Sequence, residues 1–122
     1  MNPAEVGRRG EKLARALLKK RGYKIIETNA HGYYGEIDIV AKTKDCHVFA
    51  EVRTRTTNEF GTPEESVNQR KQHKLVTCAL DYVATHEGFQ DKPWRIDVVA
   101  IELDEKGNPT RTDIIENAVP LS

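Results

Sequence analysis

The stretch GEIDIVAKTKDCHVFAEVR, Gly35 to Arg53, holds two runs of strand-forming residues around a polar break, Thr43-Lys44-Asp45-Cys46. Each run alternates and is rich in β-branched residues, and the break is short enough to be a hairpin turn. If the turn closes symmetrically, Lys42 pairs with His47, Val40 lies opposite Phe49, Asp38 opposite Glu51 and Glu36 opposite Arg53. Ile37, Ile39 and Ala41 then share one face with Val48, Ala50 and Val52. A slip of one residue would set carboxylates among these apolar side chains, so the pattern holds the register.

That register has a chemical consequence. Opposed residues on antiparallel strands have Cβ atoms about 4.5–5.5 Å apart, and like charges so placed destabilise a sheet. An Asp38–Glu51 pair therefore needs a proton, a cation or a metal between its carboxylates. Glu51 and Arg53 sit two apart on one strand and share a face, giving two acids and a cation around one spot. Hard divalent cations such as Mg²⁺ take one or two carboxylates plus substrate phosphate. Such a site suits phosphodiester hydrolysis. Plainer readings stand beside this one: a Glu36–Arg53 salt bridge, and an Asp38 that simply faces water.

Outward from the hairpin, Asn2-Pro3-Ala4-Glu5 carries the cap, the first-turn proline and the acid of a helix start. Apolar residues recur at helical spacing to Leu18, and Gly22 is a natural stop, which predicts a helix over 3–21. In it, Glu11 has Gly7, Ala14 and Leu18 at helical-neighbour spacing, so it falls on or beside the buried face. A carboxylate there must be satisfied, by a metal shell or by a bond to the sheet backbone. YKIIET (23–28) reads as a strand and NAHGY as a turn or loop. A second helix starts between Thr62 and Asn68, both of which can cap, and runs to about His86. WRIDVVAIEL (94–103) is a strand, Gly107-Asn108-Pro109 a turn, and RTDIIEN (111–117) a last strand. The order αβββαββ predicts an α/β domain with a mixed sheet, a single unit over 1–122.

Composition bounds the rest. Charged residues make up 31% and hydrophobic ones 38% of 122 residues, with no apolar run of membrane-spanning length. The first residues lack an apolar signal core, and Cys46 and Cys78 form no paired motif, so a reduced, cytoplasmic protein without a zinc site is expected. The four histidines share no ligand spacing. Net charge is zero, but residues 1–24 hold eight Lys or Arg against two acids. Arg8, Arg9, Arg15 and Lys19 on the first helix, with Arg70, Lys71 and Lys74 on the second, are candidates for contacting a polyanion; solvated helix faces are the alternative. Tyr33 and Tyr34 precede the motif strand and either stack on a base or pack in the loop or core.

In order and spacing, the helical G-E-K-L-A around Glu11, G-E-I-D at 35–38, E-V-R at 51–53, F-G at 60–61, K-Q-H-K-L at 71–75 and R-I-D-V-V at 95–99 resemble the YraN family. That family is similar to the PD-(D/E)XK nucleases and, among them, to archaeal-type Holliday junction resolvases. The resemblance spans about residues 7–101. It implies a restriction-endonuclease-like three-layer fold with a mixed central sheet flanked by helices. It implies a Mg²⁺- or Mn²⁺-dependent endonuclease acting on DNA, with structured or branched DNA as substrate. Asp38 and Glu51 would be metal ligands, and Glu11 would complete the metal site or its surroundings. Junction-cutting relatives work as dimers, so a homodimer is a further implication. Arg53 stands where the superfamily carries lysine. Arginine does not lose its proton, so it can stabilise charge or orient water but cannot act as a base. Lys71, on the inward stripe of the second helix, is either a substitute for that lysine or a side chain snorkelling at the helix start, the preferred reading. The alternative function is a nucleic-acid-binding module that keeps the fold without the chemistry. Asp97, beside Arg95 in its strand, reads as structural.

Overall fold

The computed structural model describes residues 1–57 and 60–121. Its elements are α1 (Pro3–Lys20), β1 (Lys24–Gly32), β2 (Gly35–Lys42), β3 (His47–Thr56), a 3₁₀ turn (Glu64–Ser66), α2 (Gln69–Thr85), β4 (Trp94–Leu103) and β5 (Pro109–Ile115). The five strands form one mixed sheet in chain order. β3 and β4 run parallel with α2 as their crossover, and the other neighbouring pairs are antiparallel. Element order and fold class are those expected.

Each helix forms for local reasons that the sequence carries. Asn2 Oδ1 accepts the Glu5 N–H at 2.9 Å and caps α1. Gly22, at φ 89°, ends it in the left-handed conformation. Gly10, Ala14 and Leu18 make its buried stripe. Asn68 Oδ1 caps α2 through the Lys71 N–H at 2.9 Å. The other candidate cap, Thr62, instead closes the preceding turn with Glu65, at 3.0 Å from the Thr62 N–H and 3.3 Å from the Glu65 N–H.

The sheet is covered on both faces. α1 packs over Ile39, Ala41, Val48, Ala50, Val99 and Ile101. α2 packs over Val40, Phe49, Ile96 and Val98 on the other face. The central strand β4 is buried from Ile96 to Ile101, as expected for a parallel-paired strand enclosed on both sides.

Two expectations are corrected. NAHG is not a turn: β1 continues through it, because Ala30 and His31 pair with Ile37 and Glu36 of β2. The turn is left to Tyr33 and Tyr34. Ile37 also leaves its predicted face and joins the α2-side core, while Ile39 stays on the α1 side. The cause lies at Asp38, where β2 parts from β3.

Candidate functional site

The β2–β3 ladder begins in the expected register, with Lys42 opposite His47, Ala41 opposite Val48, Val40 opposite Phe49 and Ile39 opposite Ala50. There it stops. Asp38 Oδ2 accepts the Val52 N–H at 2.8 Å, a side chain in the place of the next ladder carbonyl. β2 continues alone with β1 to Gly35. Glu36 accordingly faces β1 rather than Arg53: it accepts Asn29 Nδ2 at 2.7 Å and lies 3.8 Å from His31.

Glu51 stays on β3 and points toward α2. It is buried, 4% exposed. Its Oε2 is met by Arg53 Nε and by Lys71 Nζ, each at 3.3 Å. The Arg53 contact is charge against charge, since Arg53 Nε is buried and has no hydrogen-bond partner among the described residues. Burial, and then the Asp38 charge, push the Glu51 carboxyl up to about 7, while Lys71 and Arg53 pull it the other way. A hydrogen bond between the Asp38 and Glu51 carboxyls adds to the rise. Asp38 thus makes ionisation of the buried Glu51 carboxyl costlier than it would be alone.

Glu11 approaches from α1. Gly10 lets it come near: a Cβ there would collide with the Thr54 hydroxyl and stand 2.8 Å from Thr54 Cβ, so only glycine allows α1 to lie this close to β3. The Glu11 carboxyl is half-buried. Burial first, then Asp38, raise its pKa, with Arg15 opposing and Glu36 adding. Glu11 and Arg53 also line a cleft of about 620 Å³ between the start of α1 and the end of β3, with Gly7, Val52 and Arg55.

The predicted residues thus divide. Glu11, Asp38, Glu51 and Arg53 come together, and Lys71 joins them. The snorkelling reading of Lys71 is corrected: its ammonium turns inward to Glu51. The signal was its place four residues before buried Leu75. Arg8, Lys19, Arg70 and Lys74 are exposed and Arg15 is half-buried. Arg9 is tied to the β4–β5 turn through the Gly107 carbonyl at 3.2 Å. The two basic clusters ride on helices covering opposite faces of the sheet, so they do not form one flat basic face. Among the described residues, no three His, Cys, Asp or Glu side chains form a ready-made metal cluster. None of the helices is long and apolar enough to cross a membrane, again among the described residues.

Asp97 forms a separate and closed arrangement. Fully buried, it accepts Tyr23 Oη at 2.8 Å, Arg95 Nε at 2.9 Å and the Asn117 N–H at 2.9 Å. Burial and this carboxylate push the Tyr23 phenol up to about 12. Every polar group here has its partner, as the structural reading of Asp97 expects.

Residues 10–101 match the model of the uncharacterised protein family UPF0102. The chain belongs to the UPF0102 family. This is the YraN family that its motifs resemble. Similar relatives include a UPF0102 protein of Caldicellulosiruptor bescii, 44% identical over 118 residues covering 97% of this chain and 99% of the relative. Another, from Caldanaerobacter subterraneus subsp. tengcongensis, is 42% identical over 119 residues, 97% of each chain. A third, from Clostridium acetobutylicum, is 38% identical over 117 residues, 96% of this chain and 95% of the relative. The family match begins at Gly10, the glycine on which the approach of Glu11 depends, and includes Asp38, Glu51 and Lys71.

Proposed function

We propose that this UPF0102 chain is a metal-dependent endonuclease that hydrolyses phosphodiester bonds of DNA. One observation carries the reading: buried Glu51 has the Asp38 charge beside it, raising its pKa, while two cations meet its Oε2. Structural ion pairs have no use for a second acid at that point, because it raises the cost of both charges. A site for hard cations and phosphate does.

The donor set fits Mg²⁺ or Mn²⁺. Asp38 and Glu51 would supply carboxylate oxygens from neighbouring strands, and Glu11 adds negative charge from the other layer. Two protein carboxylates, with water and phosphate for the remaining positions, are a usual Mg²⁺ complement. A bound divalent ion would lower the pKa of a water and offset charge on the phosphate. An arginine cannot serve as a base, so the part of Arg53 is to hold a phosphate oxygen and stabilise charge that develops there. The Lys71 ammonium reaches the same carboxylate from α2 and can orient a water or give a proton to the leaving oxygen. The basic side chains on both helices would hold the backbone on either side. Similarity to junction resolvases nominates branched DNA as the substrate.

A second reading has its own observation. Arg53 and Lys71 already neutralise Glu51, and no third acid completes a cluster among the described residues. A binding module that kept the fold would look the same. Incubation with duplex, single-stranded, flap and four-way DNA in Mg²⁺ or Mn²⁺ separates the two, with Asp38→Asn as control. Cleavage by the wild type and none by the variant is expected. Binding without cleavage of any substrate, and no calorimetric signal for either ion, would leave the module.

A further inference from the structure

We infer that the β1–β2 hairpin tip is a stacking platform for an unpaired nucleobase, and that the chain binds DNA carrying a single-stranded arm next to a duplex. The inference rests on the nucleic-acid reading of the site and names the substrate feature that this end of the sheet would take.

Tyr33 is 88% exposed, an unusual position for an aromatic ring with nothing covering it. It is nevertheless held. Its ring meets Tyr34 edge to face, with centroids 4.9 Å apart at 80°. Tyr34, the less exposed of the two, lines a small cleft with Ala30, Ile37, Cys78 and Tyr82. Tyr34, itself 51% exposed, seats the pair at the rim of that cleft, and Tyr33 presents its ring to solvent. An exposed aromatic face can stack on any base, because every base has a π-face.

The surroundings connect this tip to the acid site. Lys74 packs over Gly35, the residue after the tyrosine pair; a Cβ there would lie 3.0 Å from Lys74 Cε. Lys74 stands three positions beyond Lys71 on α2, so one helix carries an ammonium to Glu51 and another to the tip. Acids flank this line too: Asp81 Oδ2 lies beside Gly32, and Glu36 is bound to Asn29. Two cations, Lys71 and Lys74, thus run from the acid site toward the tip, with acids nearby rather than a broad basic face. Such a path suits one backbone strand with its bases turned to an aromatic ring. At about 3.3 Å per strand residue, Tyr34 is roughly 13 Å along β2 from Asp38. That is a span of about four stacked nucleotides.

The test uses the whole chain in EDTA, so that binding is read without cleavage. Fluorescence anisotropy compares a blunt duplex with the same duplex bearing a six-nucleotide overhang that contains 2-aminopurine. The wild type is expected to favour the overhang and to quench the 2-aminopurine. Tyr33→Ala is expected to weaken overhang binding about five- to a hundredfold, with blunt-duplex binding unchanged. Tyr33→Phe keeps the ring and should restore both the preference and the quenching. Equal preference in wild type and Tyr33→Ala, with DNA still bound, would overturn the platform and leave the nuclease reading intact. No binding of any DNA by the wild type would overturn both.

Discussion

Glu51 invites a perturbation by pH, because its carboxyl is buried against another acid. In the unfolded chain it should titrate near its ordinary value of 4.5; in the metal-free folded chain it is pushed up to about 7. The folded state therefore binds the extra proton between those values. Stability from this group is fully present below about pH 4.5 and is lost as pH rises through about 7. At about 1.4 kcal/mol per pH unit, the ceiling on that loss is roughly 3 kcal/mol. Other acids and histidines titrate in the same window, so the measurement is a difference. Urea unfolding of wild type and Glu51→Gln, both in EDTA, is followed from pH 4 to 8. Relative to the variant, the wild type should lose roughly 2–3 kcal/mol across the window. Asp38→Asn, which removes the second cause of the shift, should shrink that loss. Millimolar Mg²⁺ should restore stability to the wild type above pH 7 by binding the folded state, and do little for either variant. Stability curves of wild type and Glu51→Gln that run parallel from pH 4 to 8 would refute the reasoning.

Other outcomes follow from single contacts. Lys71→Met removes a cation that holds Glu51 down, so the midpoint of the pH transition should move up, while cleavage falls roughly a hundredfold or more; Lys71→Arg should keep the midpoint. Gly10→Ala forces α1 away from Thr54 and should cost about 1–3 kcal/mol in denaturant unfolding, with Thr54→Ala recovering part of it; the response to Mg²⁺ should suffer as well, because Glu11 moves with the helix. Tyr23→Phe leaves buried Asp97 without its phenol partner and should lower stability by about 1.5–3 kcal/mol, with DNA binding unchanged.

How much of this was legible beforehand depends on which level of structure fixed each residue. The β2–β3 register from Lys42–His47 to Ile39–Ala50 could be read because a short turn and a clean apolar alternation leave one pairing. The end of that ladder could not, since it depends on a carboxylate replacing a backbone carbonyl at Val52. Asn29 and Gly32 spoke for a turn, and pairing with β2 overrode them; strand propensity is weak beside tertiary pairing. Asn29 keeps a trace of its preference in a φ of 50°. Glu11 was placed correctly beside the buried face by helical spacing alone. Lys71 was visible on the inward stripe of α2, but its length allowed it to turn either way, and only the buried charge on Glu51 decides. The separation of the two basic clusters was not readable, because no local pattern says which face of a sheet a helix will cover.

The parting of β2 from β3 at Asp38 also separates what is local in the site from what is distant along the chain. The two acids lie on one hairpin closed by a four-residue turn, so bringing them together closes only a short loop, at small entropic cost. Lys71 arrives only with the crossover that carries the chain through α2 to its parallel place beside β3. The hairpin by itself carries both acids and Arg53, and lacks only the Lys71 ammonium. A chain in which α2 is not docked therefore keeps just one of the two cations that meet Glu51.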